Sequence, residues 1–262
     1  MFSREAIRTI LVGCVGLVCL AVPASAGAAV LYDQNNNPGG SGTFSIDDGT
    51  DANDNQAADD FTVPAGPPWS VGGVEVSGHY DFGSGPVAGV NVFIYTDVAG
   101  LPANAPLASF GPGVIPEGGL SNPDFSIELS PPAILIPGTY WISVQAQIDY
   151  PANIWDWDNR QMPALGNPAA WRNPGGGSGP AMCADNTWRV RSVAPCLGFL
   201  SAPDQMFRIC DSACPPPSTP ATTPPGNPLS PINPAGNVRK RKCKKKKRTA
   251  TVAKKKKCKK KK

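Results

Sequence analysis

An antiparallel β-sandwich, all-β and jelly-roll-like, is the fold that this chain predicts, on three observations. Runs of alternating apolar and polar residues recur through its middle, the clearest being Gly138 to Gln147, GTYWISVQAQ. Thirty prolines and 28 glycines among 262 residues provide turns between such runs. Helical periodicity is missing after the first thirty residues, while 41% hydrophobic residues suffice for a core.

Each strand is argued from its own pattern. In GTYWISVQAQ, Tyr140, Ile142, Val144 and Ala146 alternate with Trp141, Ser143, Gln145 and Gln147, which predicts a central strand with two different faces. Trp69 to Tyr80 reads as the first long strand, with Val74, Val76, Gly78 and Tyr80 opposite Glu75, Ser77 and His79. Val90 to Thr96 carries Val90, Val92 and Ile94 on one face and Asn91, Phe93 and Tyr95 on the other, so neither face is plainly polar and the strand is expected to be central. DVAGLP, Asp97 to Pro102, supplies a turn. Phe125 to Ser130 alternates until Pro131-Pro132, which is expected to end it because proline donates nothing to a ladder. Ala133 to Ile136 is a short apolar run, and Met206 to Cys210 reads as a closing strand within a domain spanning 30–211.

The chain is expected to be exported. Arg4 and Arg8 precede the apolar run Thr9 to Val22, and Ala24-Ser25-Ala26 is a small-residue cleavage pattern, so residues 1–26 read as a signal peptide. That run is shorter than the roughly 20 residues that span a bilayer, and no later segment is apolar enough, so the mature chain is read without a transmembrane segment. Processing leaves Cys183, Cys196, Cys210, Cys214, Cys243 and Cys258, an even number that suggests disulfides. Cys183 with Cys196 and Cys210 with Cys214 are the expected pairs; zinc is disfavoured, because the only histidine is His79.

Charge is segregated along the chain. Residues 239–262 carry 17 of the 24 basic residues, whereas residues 27–238 hold five arginines, no lysine and 19 acids. Six of those acids, Asp47, Asp48, Asp51, Asp54, Asp59 and Asp60, lie close together with no basic residue between them. Asp51, Asn53 and Asn55 match the opening of an EF-hand loop, but Gln56 stands where glycine is required and Thr62 where the bidentate glutamate belongs. A calcium site of another kind at Asp47, Asp48, Asp51 and Asp54 is one reading, and a solvated acidic loop is the other.

A ligand site, if the body has one, is read from Trp155, Asp156, Trp157, Asp158, Asn159 and Arg160, together with Trp171 and Arg172. An extended Ile154 to Arg160 places both indoles on one face and both carboxylates on the other. Flat indoles with nearby Asp, Asn and Arg suit sugar rings, which gives the carbohydrate-binding reading; the competing expectation is that such indoles, with Trp141 and Trp188, are core. An enzyme is not expected: a Ser-His-Asp triad has only His79 to draw on, and no nucleophile elbow accompanies it.

LYDQNNN at Leu31, NQAADDFTVPAG at Asn55, VNVFIYTDVAGLP at Val90, PGTYWISVQA at Pro137, WDWDNRQ at Trp155 and WRNPGGGSG at Trp171 form an ordered set of landmarks. Together they resemble an uncharacterised family of secreted bacterial β-sandwich domains with variable C-terminal anchors. The resemblance covers about residues 30 to 210. It implies the fold and export, and it brings no reaction and no functional residue.

The remainder is linker and tail. Pro215 to Gly236 contains nine prolines, and 215–238 is expected to be an extended, semi-rigid, disordered spacer. The tail RKRKCKKKKRTATVAKKKKCKKKK, 239–262, repels itself and has almost nothing apolar to bury. Its expected partners are anionic cell-envelope polymers or a lipid surface, at about 1 kcal/mol per basic residue near an acidic membrane. Its own acidic body is a further candidate. Nucleic acid is a second candidate and would be bound without sequence preference, although no aromatic residue is interleaved to stack on bases; specific nucleic-acid binding is not expected.

Overall fold

The computed structural model describes residues 27–50, 52–119, 121–177, 185–193 and 202–216. Contacts divide the chain into Met1–Ser218 and Thr219–Lys262, the second lying wholly outside the described residues. The expected linker and tail therefore fall almost entirely outside them, as does the signal peptide.

The fold is an all-β sandwich of antiparallel sheets. One sheet orders β1 (Val30–Asp33), β16 (Phe207–Cys210), β5 (Trp69–Val76) and β10 (Phe125–Leu135). A larger sheet runs β14 (Arg189–Val190), β13 (Ala170–Arg172), β4 (Gln56–Val63), β11 (Gly138–Gln147), β7 (Gly89–Val98) and β8 (Leu101–Pro102). On it, β9 (Ala108–Val114) pairs with β7, and β3 (Ile46–Asp47) makes a short parallel pairing with β11. A third sheet orders β15 (Asp204–Gln205), β12 (Ile154–Arg160) and β2 (Pro38–Phe44), with β6 (Gly78–Phe82) also on β12. Among the described residues no helix is long and apolar enough to cross a membrane.

Parity along each strand decides what it buries. Ile142, Val144 and Ala146 of β11 meet Val74, Val76, Ile127, Phe207 and Ile209 in the main core, together with Phe61 and Val63 of β4 and Val92 and Ile94 of β7. Their sequence neighbours Ala58, Tyr95, Trp141 and Ala170 face the other way and form a second apolar cluster with Trp188. Paired to β4 on one side and β7 on the other, β11 is central as expected. The DVAGLP turn is also as expected: β7 pairs with β8 around Ala99 and Gly100, whose φ values of 54° and 80° suit a tight hairpin.

Two expectations are corrected. The strand read as Trp69 to Tyr80 is interrupted at Ser77, where it passes from the first sheet to the third. Ser77 N donates to Met206 O, Met206 N to Asp158 O and Asp158 N to Ser77 O, a ring of three backbone bonds at which β12 wedges between two diverging strands. Pro131-Pro132 does not end its strand either. β10 continues to Leu135 across a register irregularity between Glu128 and Ala133, because it borders β5 alone in its sheet and an edge tolerates missing donors.

Candidate functional site

β12 adopts the predicted alternation, but with its indoles turned inward. Trp155 and Trp157 are fully buried and Trp171 nearly so, which removes all three as exposed sugar platforms. Their rings fill the core, and each N–H finds a carbonyl: Trp155 donates to Pro123 O at 2.8 Å, Trp157 to Met206 O at 2.7 Å and Trp171 to Phe44 O at 3.2 Å. Burial of such a ring contributes about 3 kcal/mol or more, so the alternation is enforced by the core.

On the opposite face of β12, Asp156 and Asp158 flank His79 of β6. His79 Nδ1 lies 2.6 Å from Asp158 Oδ1 and Nε2 lies 3.8 Å from Asp156 Oδ2. Burial pushes the Asp156 carboxyl up to about 6, against the opposing pull of His79 and with help from Asp81 and Asp158. Gly42 of β2 permits this packing, since a Cβ there would lie 2.5 Å from Asp156 Cβ and 2.8 Å from His79 Cε1. Ser77 and Glu75, predicted on the same strand face as His79, are engaged elsewhere. Ser77 Oγ donates to Asn35 Oδ1, and Glu75 pairs with Arg208.

Asn159 and Arg160, expected at a ligand site, belong to an interior polar network instead. Arg191, fully buried, donates to Thr43 Oγ1 at 2.8 Å, to Asn159 Oδ1 at 2.7 Å and to Ala202 O. Arg160 donates to Asn36 Oδ1 and Pro163 O and lies 3.5 Å from Asp204. Asp59, also fully buried, accepts from Gln34 Nε2 at 2.7 Å and from the Gln205 amide at 2.6 Å. Burial and then Asp204 push Asp59 well above the usual carboxylate range, while burial lowers Arg191 to about 10 against the pull of Asp59 and Asp204. The sequence reading missed Gln34, Asp59, Arg191 and Asp204 as interior residues. A signal existed for Asp59: it shares strand parity with Ala57, Phe61 and Val63, all core.

The acidic loop is tied to itself and its neighbours. Asp48 Oδ1 accepts from the Thr50 amide and hydroxyl, both at 2.9 Å, and Asp48 Oδ2 from Asn53 Nδ2 at 2.5 Å. Slight burial opposes ionisation of Asp48, but these bonds outweigh it and hold the carboxyl below its ordinary range. Asp47 Oδ2 accepts from Asn91 and Gln147, and Asp54 Oδ1 from the Asp48 amide. Asp51 lies outside the described residues, among which no group of three or more metal-ligating side chains converges. Cys210 and Cys214 form the expected disulfide; Cys183, Cys196, Cys243 and Cys258 lie outside the described residues.

Arg172, one of the predicted ligand-site residues, borders an open cavity. Its guanidinium carbon stands 4.4 Å from the Trp188 ring centroid and 5.7 Å from that of Tyr95. Its Nε donates to Gln56 Oε1 at 2.7 Å, and Nη2 reaches both Gln56 Oε1 and Tyr95 Oη. A cavity of about 300 Å³ lies alongside, lined by Asp54, Gln56, Gln145, Arg172, Pro174 and Asn186. Its rim is stitched by backbone bonds from Gly177 to Ala52 O and from Gly175 to Asp54 O, which is what the glycine run after Pro174 accomplishes.

Compared with known proteins, the chain matches no family model, no curated protein and no solved structure.

Proposed function

We propose that this chain is an exported display and binding protein, held at an anionic cell envelope by residues 239–262. The supporting observation is that each of the five arginines of residues 27–238 already has a partner within the folded body. Arg160 and Arg191 serve the interior network, Arg172 bonds Gln56, Arg189 pairs with Asp185 and Arg208 pairs with Glu75. With no lysine in that stretch, the tail carries most of the cationic charge that an anionic surface can meet. The body, with 19 acids against those five arginines, is repelled by the same anionic surface, so retention depends on the tail outweighing that repulsion.

The test compares cell-surface retention of the full chain with that of a truncation after Gly236, at low and high salt. Release of the full chain by salt, and loss of the truncated form at every salt concentration, is expected. Equal retention of both overturns the reading.

A further inference from the structure

We propose that the cavity beside Arg172 is a binding subsite for a neutral saccharide unit, a role independent of the tail's. Three features carry this assignment.

The first is an unused donor. Gln56 is only 5% exposed, and its Oε1 is saturated by Arg172 and Tyr95. That orientation leaves the amide Nε2 without a partner among the described residues, on a side chain that lines the cavity. An amide held this way offers its N–H donors to an acceptor in the cavity.

The second is the alternation of donors and acceptors around the opening. Arg172 Nη1 makes only a 3.5 Å contact to Asn104 O, so that edge of the guanidinium is open to a ligand. Asn186, exposed at the rim, brings both a donor and an acceptor, and Asp54 places a carboxylate in the wall. Vicinal hydroxyls donate and accept at once, and they match a wall in which amide, guanidinium and carboxylate stand side by side. Asp54 disfavours a free anion, which would meet its charge as well as that of Arg172. Among the lining side chains Pro174 alone is apolar, which leaves little for an apolar peptide anchor to fill.

The third is rigidity. Arg172 is clamped by Gln56 and stacked on Trp188, while the loops bearing Asp54 and Pro174 are joined by backbone bonds. The donors are thus preorganised, which lowers the ordering cost of binding. At about 300 Å³ the cavity sits at the small end of ligand sites and suits one sugar residue of a longer glycan.

The experiment titrates the purified full chain, in high salt to silence the tail, with glucose, galactose, mannose, N-acetylglucosamine and their disaccharides, and with acetate and phosphate as anion probes. Saturable binding of at least one neutral sugar is expected. Arg172→Lys and Asn186→Ala should each weaken it about tenfold, the size of one lost hydrogen bond of this kind. Thermal melts establish that each variant is folded; should Arg172→Lys fail to fold, Asn186→Ala, at an exposed position, decides the matter. No saturable binding across the sugar panel, sugar binding unchanged in the folded variants, or binding of the anions alone overturns the proposal. Truncation after Gly236 leaves this binding intact, so its failure and that of the tail reading are read separately.

Discussion

Arg172 and Trp188 meet across a cluster on the face of the central sheet opposite the main core, with the guanidinium carbon 4.4 Å from the indole centroid. Trp188 is 3% exposed, and the planar cation closes that side of it. An ammonium provides neither the stack nor the paired bonds to Gln56, so Arg172→Lys is expected to cost about 1–2 kcal/mol of stability. Urea unfolding measures it, and a midpoint identical to that of the parent protein would show that the stack contributes nothing.

The Asp156 carboxyl introduces a pH dependence of definite sign. Its folded value of about 6 lies above the ordinary 3.8, so the native state holds this proton more tightly than the unfolded chain does. Stability from this group is full below about pH 4 and declines as pH rises through 6, by about 3 kcal/mol at most. Asp156→Asn is expected to match the parent at pH 4 and to exceed it at pH 7.5. Parallel stability profiles for the two proteins across that range would refute the assignment.

Arg191 balances Asp59 and Asp204 inside the body, and all three are fully buried. Removing the cation leaves buried carboxylates without their counter-charge and takes one donor each from Thr43 and Asn159. Arg191→Ala is therefore expected to destabilise by about 3–5 kcal/mol, read from chemical denaturation. A loss below about 1 kcal/mol would mean that neutral Asp59 and Asp204 need no cation.

Hydrogen bonds from Asn91 and Gln147 already occupy Asp47, and bonds within the acidic loop occupy Asp48. A cation entering there has to displace them, so addition of calcium or of a chelator is expected to leave the melting temperature unchanged. A calcium-dependent rise in thermal stability, absent in Asp48→Asn, would support the metal reading of Asp47, Asp48, Asp51 and Asp54.

What the linear chain determined by itself is the all-β class, the two-faced central strand at Gly138–Gln147, the hairpin at Ala99-Gly100 and the parity of Trp155 and Trp157 against Asp156 and Asp158. These follow from local backbone geometry, because alternate side chains of a strand leave on opposite faces whatever lies beyond. Which face meets a neighbour is not local. Tertiary structure alone decided that the indoles of β12 point into the core, that the strand beginning at Trp69 changes sheets at Ser77, and that the prolines of β10 sit harmlessly at an edge. It likewise turned Asn159, Arg160 and Arg191 inward, since a buried charge draws some of its partners from residues distant in sequence, as Arg191 does at Thr43.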